Sequence, residues 1–221
     1  MSITWHRGFK HVLSGVALSA LMAGFVAFTA APAHAADEPK LVAAPNFDNT
    51  THVVERWIWG DEVGNENHGR RWKMALDDPS WARGDVELVT YEHEWSLYYK
   101  EAKRNQQWHF TRQKADGSYE LRNVFSGKCV TATPAGPVKQ AECKKGRTDQ
   151  HWIIKEHLFA GGSASLGYQF VNVSTRKALS QFGHPSTPKP FDPTANGARV
   201  FQRKPNINDD YQFWVIHSIS Y

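Results

Sequence analysis

Three places in the sequence hold residue types that could do acid–base or covalent chemistry. Asp77 and Asp78 are adjacent carboxylates, His93 stands between Glu92 and Glu94, and Cys129 and Cys143 are the two cysteines. A glycosidase pair needs two carboxyl groups roughly 5–9 Å apart across the bond to be cut, a geometry that neighbouring residues seldom hold. Asp77-Asp78-Pro79 also reads as a plain turn, since Asp and Pro favour turns. On a strand, Glu92 and Glu94 lie on the face opposite His93, so "EHE" reads as a solvated edge. No G-x-S-x-G, H-E-x-x-H or P-loop is present. The residues therefore predict no enzyme: no catalytic group, no cofactor and no metal.

The elements around these residues begin with an export signal. Arg7 and Lys10 form a basic start, residues 12–31 are almost wholly apolar or small, and Ala33-His34-Ala35 is an A-x-A cleavage site. Residues 1–35 thus read as a signal peptide rather than a membrane anchor. No later stretch is apolar for long enough to span a bilayer. Removing 35 of 221 residues leaves 186, enough for one domain and an arm. Taking Arg7 and Lys10 from the 26 basic residues leaves 24 against 22 acidic ones, a balance that gives no footprint for nucleic acid or an anionic membrane. A secreted, extracellular chain matures in an oxidising compartment, so Cys129 and Cys143 are expected to pair. Two isolated cysteines with no His pair beside them make a poor zinc site.

A repeat then becomes visible. "NQQWHF" (residues 105–110), "DQHWII" (149–154) and "YQFWVI" (211–216) each place a glutamine two residues before a tryptophan and an apolar run after it. Behind these motifs, "YELRNVFSGKCVT" (119–131) lies over "YQFVNVSTRKALS" (168–180) at a constant offset of 49, matching Tyr119 to Tyr168, Asn123 to Asn172 and Lys128 to Lys177. "PVKQ" (137–140) matches "RVFQ" (199–202) further on. Apolar residues alternate, polar turns follow, and no long amphipathic helix appears, which predicts short strands. A fainter first unit contains "KMALDD" (73–78) and "VELVTYEHEWSLYY" (86–99), and closes on "NQQW". Three such units predict an all-β fold, a closed threefold barrel.

The series "SGKCV…VKQAEC…DQHW" (126–152) resembles the repeat of ricin-B-type β-trefoil lectins. The resemblance covers about residues 51–217 and implies a single β-trefoil over 51–221, with Trp108, Trp152 and Trp214 in the structural core. It also implies where a sugar would sit: an aspartate accepts from hydroxyls, an aromatic ring stacks on the C–H face, and the Asn before the Gln-x-Trp glutamine completes the hydrogen bonds. In the second unit these positions hold Thr131 and Asp149, and in the third Ser180 and Tyr211, so both sites look lost. The first unit keeps Asp77, Tyr98, Asn105 and Gln106, which become the candidate ligand-binding residues, with Tyr98 as the floor of a shallow pocket. The glycan so implied is of galactose type or another cell-surface glycoconjugate. Against this stands the bland reading in which Asp77 is a turn residue and Trp95 and Tyr99 face the core.

The first unit also gathers Trp57, Trp59, Trp72, Trp81 and Trp95, with "GDEVGNENHG" (60–69) as an exposed loop. A trefoil with lost sugar sites and an aromatic patch is similar to the cell-binding subunits of cytolethal distending toxins. Residues 36–50 are Pro-containing, polar and outside the repeats, so they read as a flexible arm that orders on a partner. Two functions follow: a secreted carbohydrate-binding module, or a non-catalytic docking subunit of a multi-component secreted complex with a protein partner.

Overall fold

A computed structural model describes residues 40–59, 71–79, 84–92, 103–134, 136–159, 162, 164–181 and 196–219, without the side chains of 57–59, 71 and 72. Residues 1–35, the loop 60–69, Trp81, His93, Trp95, Tyr98 and Tyr99, and the side chains of Trp57, Trp59 and Trp72, all singled out above, lie outside this description.

Thirteen strands are present among the described residues: β1 (Lys40–Ala43), β2 (Thr50–Trp59), β3 (Arg71–Asp77), β4 (Val89–Glu92), β5 (Gln107–Arg112), β6 (Tyr119–Asn123), β7 (Cys129–Thr131), β8 (Lys139–Ala141), β9 (His151–Leu158), β10 (Ser165–Asn172), β11 (Ala178–Gln181), β12 (Ala198–Arg203) and β13 (Val215–Ser218). The only helical pieces described are single 3-10 turns at Arg104–Gln106, Thr148–Gln150 and Asp210–Gln212. Antiparallel pairing runs β2 to β5, β5 to β6, β6 to β9 and β9 to β10. A bridge between Tyr168 and Trp214 carries β10 to β13, and β13 returns to β2. Six strands therefore close a barrel. The hairpins β3–β4, β7–β8 and β11–β12 form three equivalent extensions at one end. This is a β-trefoil.

Period-two alternation puts each strand together. In β6, Tyr119, Leu121 and Asn123 are buried, while Glu120 and Arg122 between them are not. The inward residues of the six strands fill the barrel, and Trp108, Trp152 and Trp214 are each 0% exposed. A buried indole needs an acceptor for its ring N–H. Each tryptophan finds the carbonyl of an equivalent residue: Trp108 Nε1 donates to Leu76 O at 2.9 Å, Trp152 to Val130 O at 3.0 Å and Trp214 to Leu179 O at 3.1 Å. The hairpins close on the same axis through a ring of backbone bonds. Leu88 N donates to Val138 O, Val138 N to Val200 O, and Val200 N to Leu88 O, at 2.8, 2.8 and 3.2 Å.

The turns follow the offset of 49. Asn123 Oδ1 accepts from Phe125 N and Ser126 N, and Asn172 Oδ1 accepts from Ser174 N and Thr175 N. Gly127 closes the first turn at φ 70, and Arg176 takes the same left-handed conformation at φ 58. Cys129 and Cys143 are disulfide-bonded, tying β7 to the chain beyond β8.

One expectation is corrected. The stretch 36–50 is, over its described part, no flexible arm. β1 pairs along β9 from Lys40–Leu158 to Ala43–Lys155, and Phe47 is buried in the core. Backbone pairing and an aromatic side chain supply contacts that the polar composition of this stretch does not advertise.

Two outcomes follow. Trp108→Ala, Trp152→Ala and Trp214→Ala should each lower unfolding free energy by about 3–5 kcal/mol in urea denaturation. Removing the disulfide, which closes a 14-residue separation, should cost about 3 kcal/mol in the double Cys→Ala variant.

Candidate functional site

The Trp–carbonyl bond fixes the residue that follows the carbonyl. In the first unit that residue is Asp77, the last of β3. Asp78 N donates to Asn105 O at 3.1 Å, and Asn123 Nδ2 donates to the same carbonyl at 2.8 Å. The 3-10 turn Arg104–Gln106 is thereby locked against the end of β3, with Asn105 and Gln106 facing Asp77. Asn105 Nδ2 donates to Asp77 Oδ1 at 2.9 Å and to Asp78 O at 3.1 Å. Gln106 Nε2 donates to Asp77 Oδ2 at 2.7 Å. Both amide orientations are set by these acceptors, because turning either amide over would put oxygen against oxygen.

The structure thus brings together three of the four candidate residues, and Tyr98 lies outside the described residues. It does not place them on an open surface. Asp77 and Asn105 are each 3% exposed and Gln106 is 1% exposed. The shallow pocket expected for them is corrected to a buried carboxylate cage. Two acceptors in it, Asn105 Oδ1 and Gln106 Oε1, are buried without a hydrogen-bond partner. Burial is the largest influence on Asp77 and disfavours its charge; the amide of Gln106 opposes it, the carboxylate of Asp78 adds to it, and Asn105 and Lys103 oppose it. The Asp77 carboxyl is pushed up to about 7.

The two equivalent places are built by the same backbone and filled differently. In the second unit, Gln150 Nε2 donates to Thr131 Oγ1 at 3.0 Å, so the glutamine keeps its role and the hydroxyl replaces the carboxylate. Asp149 is engaged by the Arg147 guanidinium, whose Nε donates at 3.0 Å and whose Nη2 also bonds it. In the third unit, Gln212 Nε2 turns to Lys204 O and Asp209 Oδ2, both at 2.9 Å. The space between Gln181 and Tyr211 is taken by Arg56 of the first unit. Its Nη1 donates to Gln181 Oε1 at 3.1 Å, its Nε to Asp210 O at 3.3 Å, and its guanidinium lies 4.4 Å over the Tyr211 ring.

Sequence reasoning missed Arg56. An arginine between Glu55 and Trp57 in "VERWIWG" carries no signal that it will be 1% exposed and reach across a unit boundary. A cavity of about 600 Å³ beside it is bordered by Arg56, Phe159, Leu166, Tyr168, Asp210 and Phe213, among others. Asp77, Asn105 and Gln106 do not border it.

A ricin-type β-trefoil lectin domain-like family model matches residues 104–184. That span begins at the turn bearing Asn105 and Gln106, so Asp77 falls outside it. No curated protein sequence matches the chain. Among solved structures, a designed threefold-symmetric protein, ThreeFoil, is similar at 21% identity, covering 76% of this chain and 98% of that one, with a TM-score of 0.50. A mosquitocidal holotoxin is similar at 15% identity and a TM-score of 0.54, covering 80% of this chain and 18% of that one. The cytolethal distending toxin of Haemophilus ducreyi is similar at 12% identity, covering 80% and 88%, with a TM-score of 0.48. ThreeFoil and the holotoxin support the trefoil architecture. The chain spans less than a fifth of the holotoxin chain.

The buried carboxylate predicts a pH dependence of stability. The unfolded chain ionises Asp77 near its ordinary 3.8, whereas the folded chain holds the proton up to about 7. The folded state therefore binds more protons between these values, and stability falls as pH rises through that window. Asp77→Asn removes the ionisation, and its amide can donate to a turned-over Gln106. Urea denaturation should show the variant gaining on the wild type by on the order of 3–4 kcal/mol between pH 4 and pH 8. A gap that stays constant with pH would mean an ordinary carboxylate.

Proposed function

We propose that the protein is an exported, non-catalytic glycan-binding module that holds one sugar at its first unit. The observation that carries this reading is the pair of orphaned acceptors beside Asp77. A buried acceptor without a donor costs about 1–3 kcal/mol, and sugar hydroxyls are donors of the right kind. Asp77 accepts from one amide on each oxygen, and each carboxylate oxygen has a second lone pair to offer. Vicinal hydroxyls entering the cage would donate to Asp77 and to Asn105 Oδ1. Gln106 then acts as the positioning residue that keeps the carboxylate in register. Tyr98 is the proposed stacking ring, and a galactose-type sugar the proposed glycan.

The near-complete burial of the cage makes binding conditional on its opening. The apparent affinity of such a site is lowered by the fraction of molecules that are open. The proposed site is therefore weak alone, and several copies in one assembly would supply avidity. The loss of the aspartate at Thr131 and Ser180 supports one site per chain.

A second reading, docking to another secreted protein, is favoured by a different observation. Leu41 of β1 and Phe159, the residue after β9, are each 53% exposed, and β1 and β9 are paired from Lys40–Leu158 to Ala43–Lys155.

Binding experiments separate the two. On a glycan array followed by calorimetry, Asp77→Ala should lose on the order of 1.5–3 kcal/mol, the value of hydrogen bonds to a charged group. Thr131→Ala and Ser180→Ala should leave binding unchanged. Wild-type affinity should also fall below about pH 7, where Asp77 takes up a proton. Retention of binding in Asp77→Ala together with its loss in Thr131→Ala would place the site in the second unit. Capture of a co-secreted protein with no glycan bound would replace the lectin reading by docking.

A further inference from the structure

The chain ahead of the first unit does more than add a strand. Residues 44–50 lead across the end of the barrel opposite the hairpins, and Phe47 plugs it. Three residues ring the plug: His52 at 5.3 Å, Tyr119 at 6.2 Å and Tyr168 at 5.4 Å between ring centroids, all edge to face. They are threefold counterparts, since His52 pairs with Trp108, Tyr119 with Trp152 and Tyr168 with Trp214. Where two units carry tyrosine, the first carries a histidine that is 4% exposed.

The hydrogen bonds around His52 define its tautomer. Thr50 Oγ1 lies 2.5 Å from Phe47 O and 2.6 Å from His52 Nε2. A hydroxyl has one proton, and a carbonyl can only accept, so that proton goes to Phe47 O. His52 Nε2–H must then donate to Thr50 Oγ1. Nδ1 is left as a bare lone pair, buried and without a partner. The ring also packs edge to face on Phe110 at 5.0 Å.

We propose that His52 is an acid-sensitive clasp: a proton taken up at Nδ1 puts a charge inside a buried aromatic cage where the His217 backbone alone favours it, so the ring leaves the cage, the Thr50–Phe47 link breaks, and residues 40–50 come away from the barrel. Among the described residues, no carboxylate is placed to hold the cation. On β5, His109 would repel it, with its Nδ1 at 3.2 Å from the Thr51 hydroxyl. On the plug segment, Asp48 Oδ1 already accepts from Arg112 N at 2.8 Å. On β6 and β10 the facing groups are the rings of Tyr119 and Tyr168. On β13, the His217 ring is 3.2 Å from Glu55, and its backbone bond to His52 partly favours the charged form.

Burial, the largest influence, holds His52 below the ordinary histidine value of 6.5; the His217 backbone opposes this and His109 reinforces it. The closed state therefore has the lower pKa, and the released state the ordinary one. Below 6.5 the released state binds the proton preferentially, and opening rises by up to about tenfold per pH unit until the closed form also protonates. Release would free the Lys155–Leu158 edge of β9 and uncover the rings of Tyr119 and Tyr168.

Hydrogen exchange on the whole protein at pH 7.5 and pH 5, corrected for the chemical exchange rate, tests this. Amides of residues 41–49 should lose protection at pH 5 relative to those of β5, by up to about tenfold for each pH unit below 6.5. His52→Tyr supplies the residue its counterparts carry and should keep the protection. Equal wild-type protection at both pH values, or acid loss persisting in His52→Tyr, overturns the clasp. Should His52→Tyr fail to fold, an NMR titration of the wild-type ring decides: a His52 pKa at or above 6.5 overturns the proposal, and one below it supports it.

Discussion

Three indole N–H groups inside a barrel set most of this structure. Each must find an acceptor without water, and each takes the carbonyl of the residue just before the same position in its unit. The bond couples the strand bearing the tryptophan to the first strand of the hairpin extension. It therefore places Asp77, Thr131 and Ser180 at equivalent points whatever their chemistry. The glutamine two residues earlier is placed by the same bond; in the first two units its amide donates to that residue, and in the third it turns to Lys204 O and Asp209 Oδ2. Function in such a fold is a matter of which residue the shared backbone delivers, and the backbone itself is indifferent to the answer.

That indifference explains what was legible in the sequence. Tyr119 and Tyr168, Asn123 and Asn172, and Val138 and Val200 occupy matching places because they do the same job in a symmetric core, and identical jobs select similar residues. Asp77 with Asn105 and Gln106 was legible for the same reason, since the Gln-x-Trp motif marks the turn and the apolar pair before Asp77 marks the strand. The burial of this trio was not legible, because exposure depends on what packs over a site and not on the residues that form it. Arg56 and Phe47 were hidden for another reason. Each breaks the symmetry by leaving its own place to fill a space elsewhere, and alignment of repeats is blind to such moves. His52 was hidden because it occupies a tyrosine position in the unit with the faintest alignment.

The symmetry breaking has a direction. The first unit and the chain before it give away side chains to the rest of the barrel. Arg56 enters the space between Gln181 and Tyr211, where the third unit would otherwise present an open polar site. Phe47 enters the barrel mouth, and β1 lies along β9. The guanidinium meets a side-chain oxygen, a main-chain oxygen and an aromatic face, partners suited to a planar cation. A ligand presenting donors to Gln181 would have to displace it, so the third unit is closed from within as well as lacking the aspartate.

The same reasoning separates stability from function at Asp77. A carboxylate held at 3% exposure, with its pKa raised to about 7, works against folding at neutral pH. Thr131 shows that the position does not need it, because a hydroxyl there accepts from its glutamine equally well in a closed core. Two amides converge on Asp77, each left with an oxygen that nothing satisfies. A destabilising arrangement that an ordinary neighbour could relieve is the kind of local conflict on which the proposed binding site rests. On the proposed reading, a ligand that resolves the conflict brings hydroxyl or amide donors and removes water as it does so. The fold supplies the cage, and the two unsatisfied amide oxygens set what such a ligand would have to donate to.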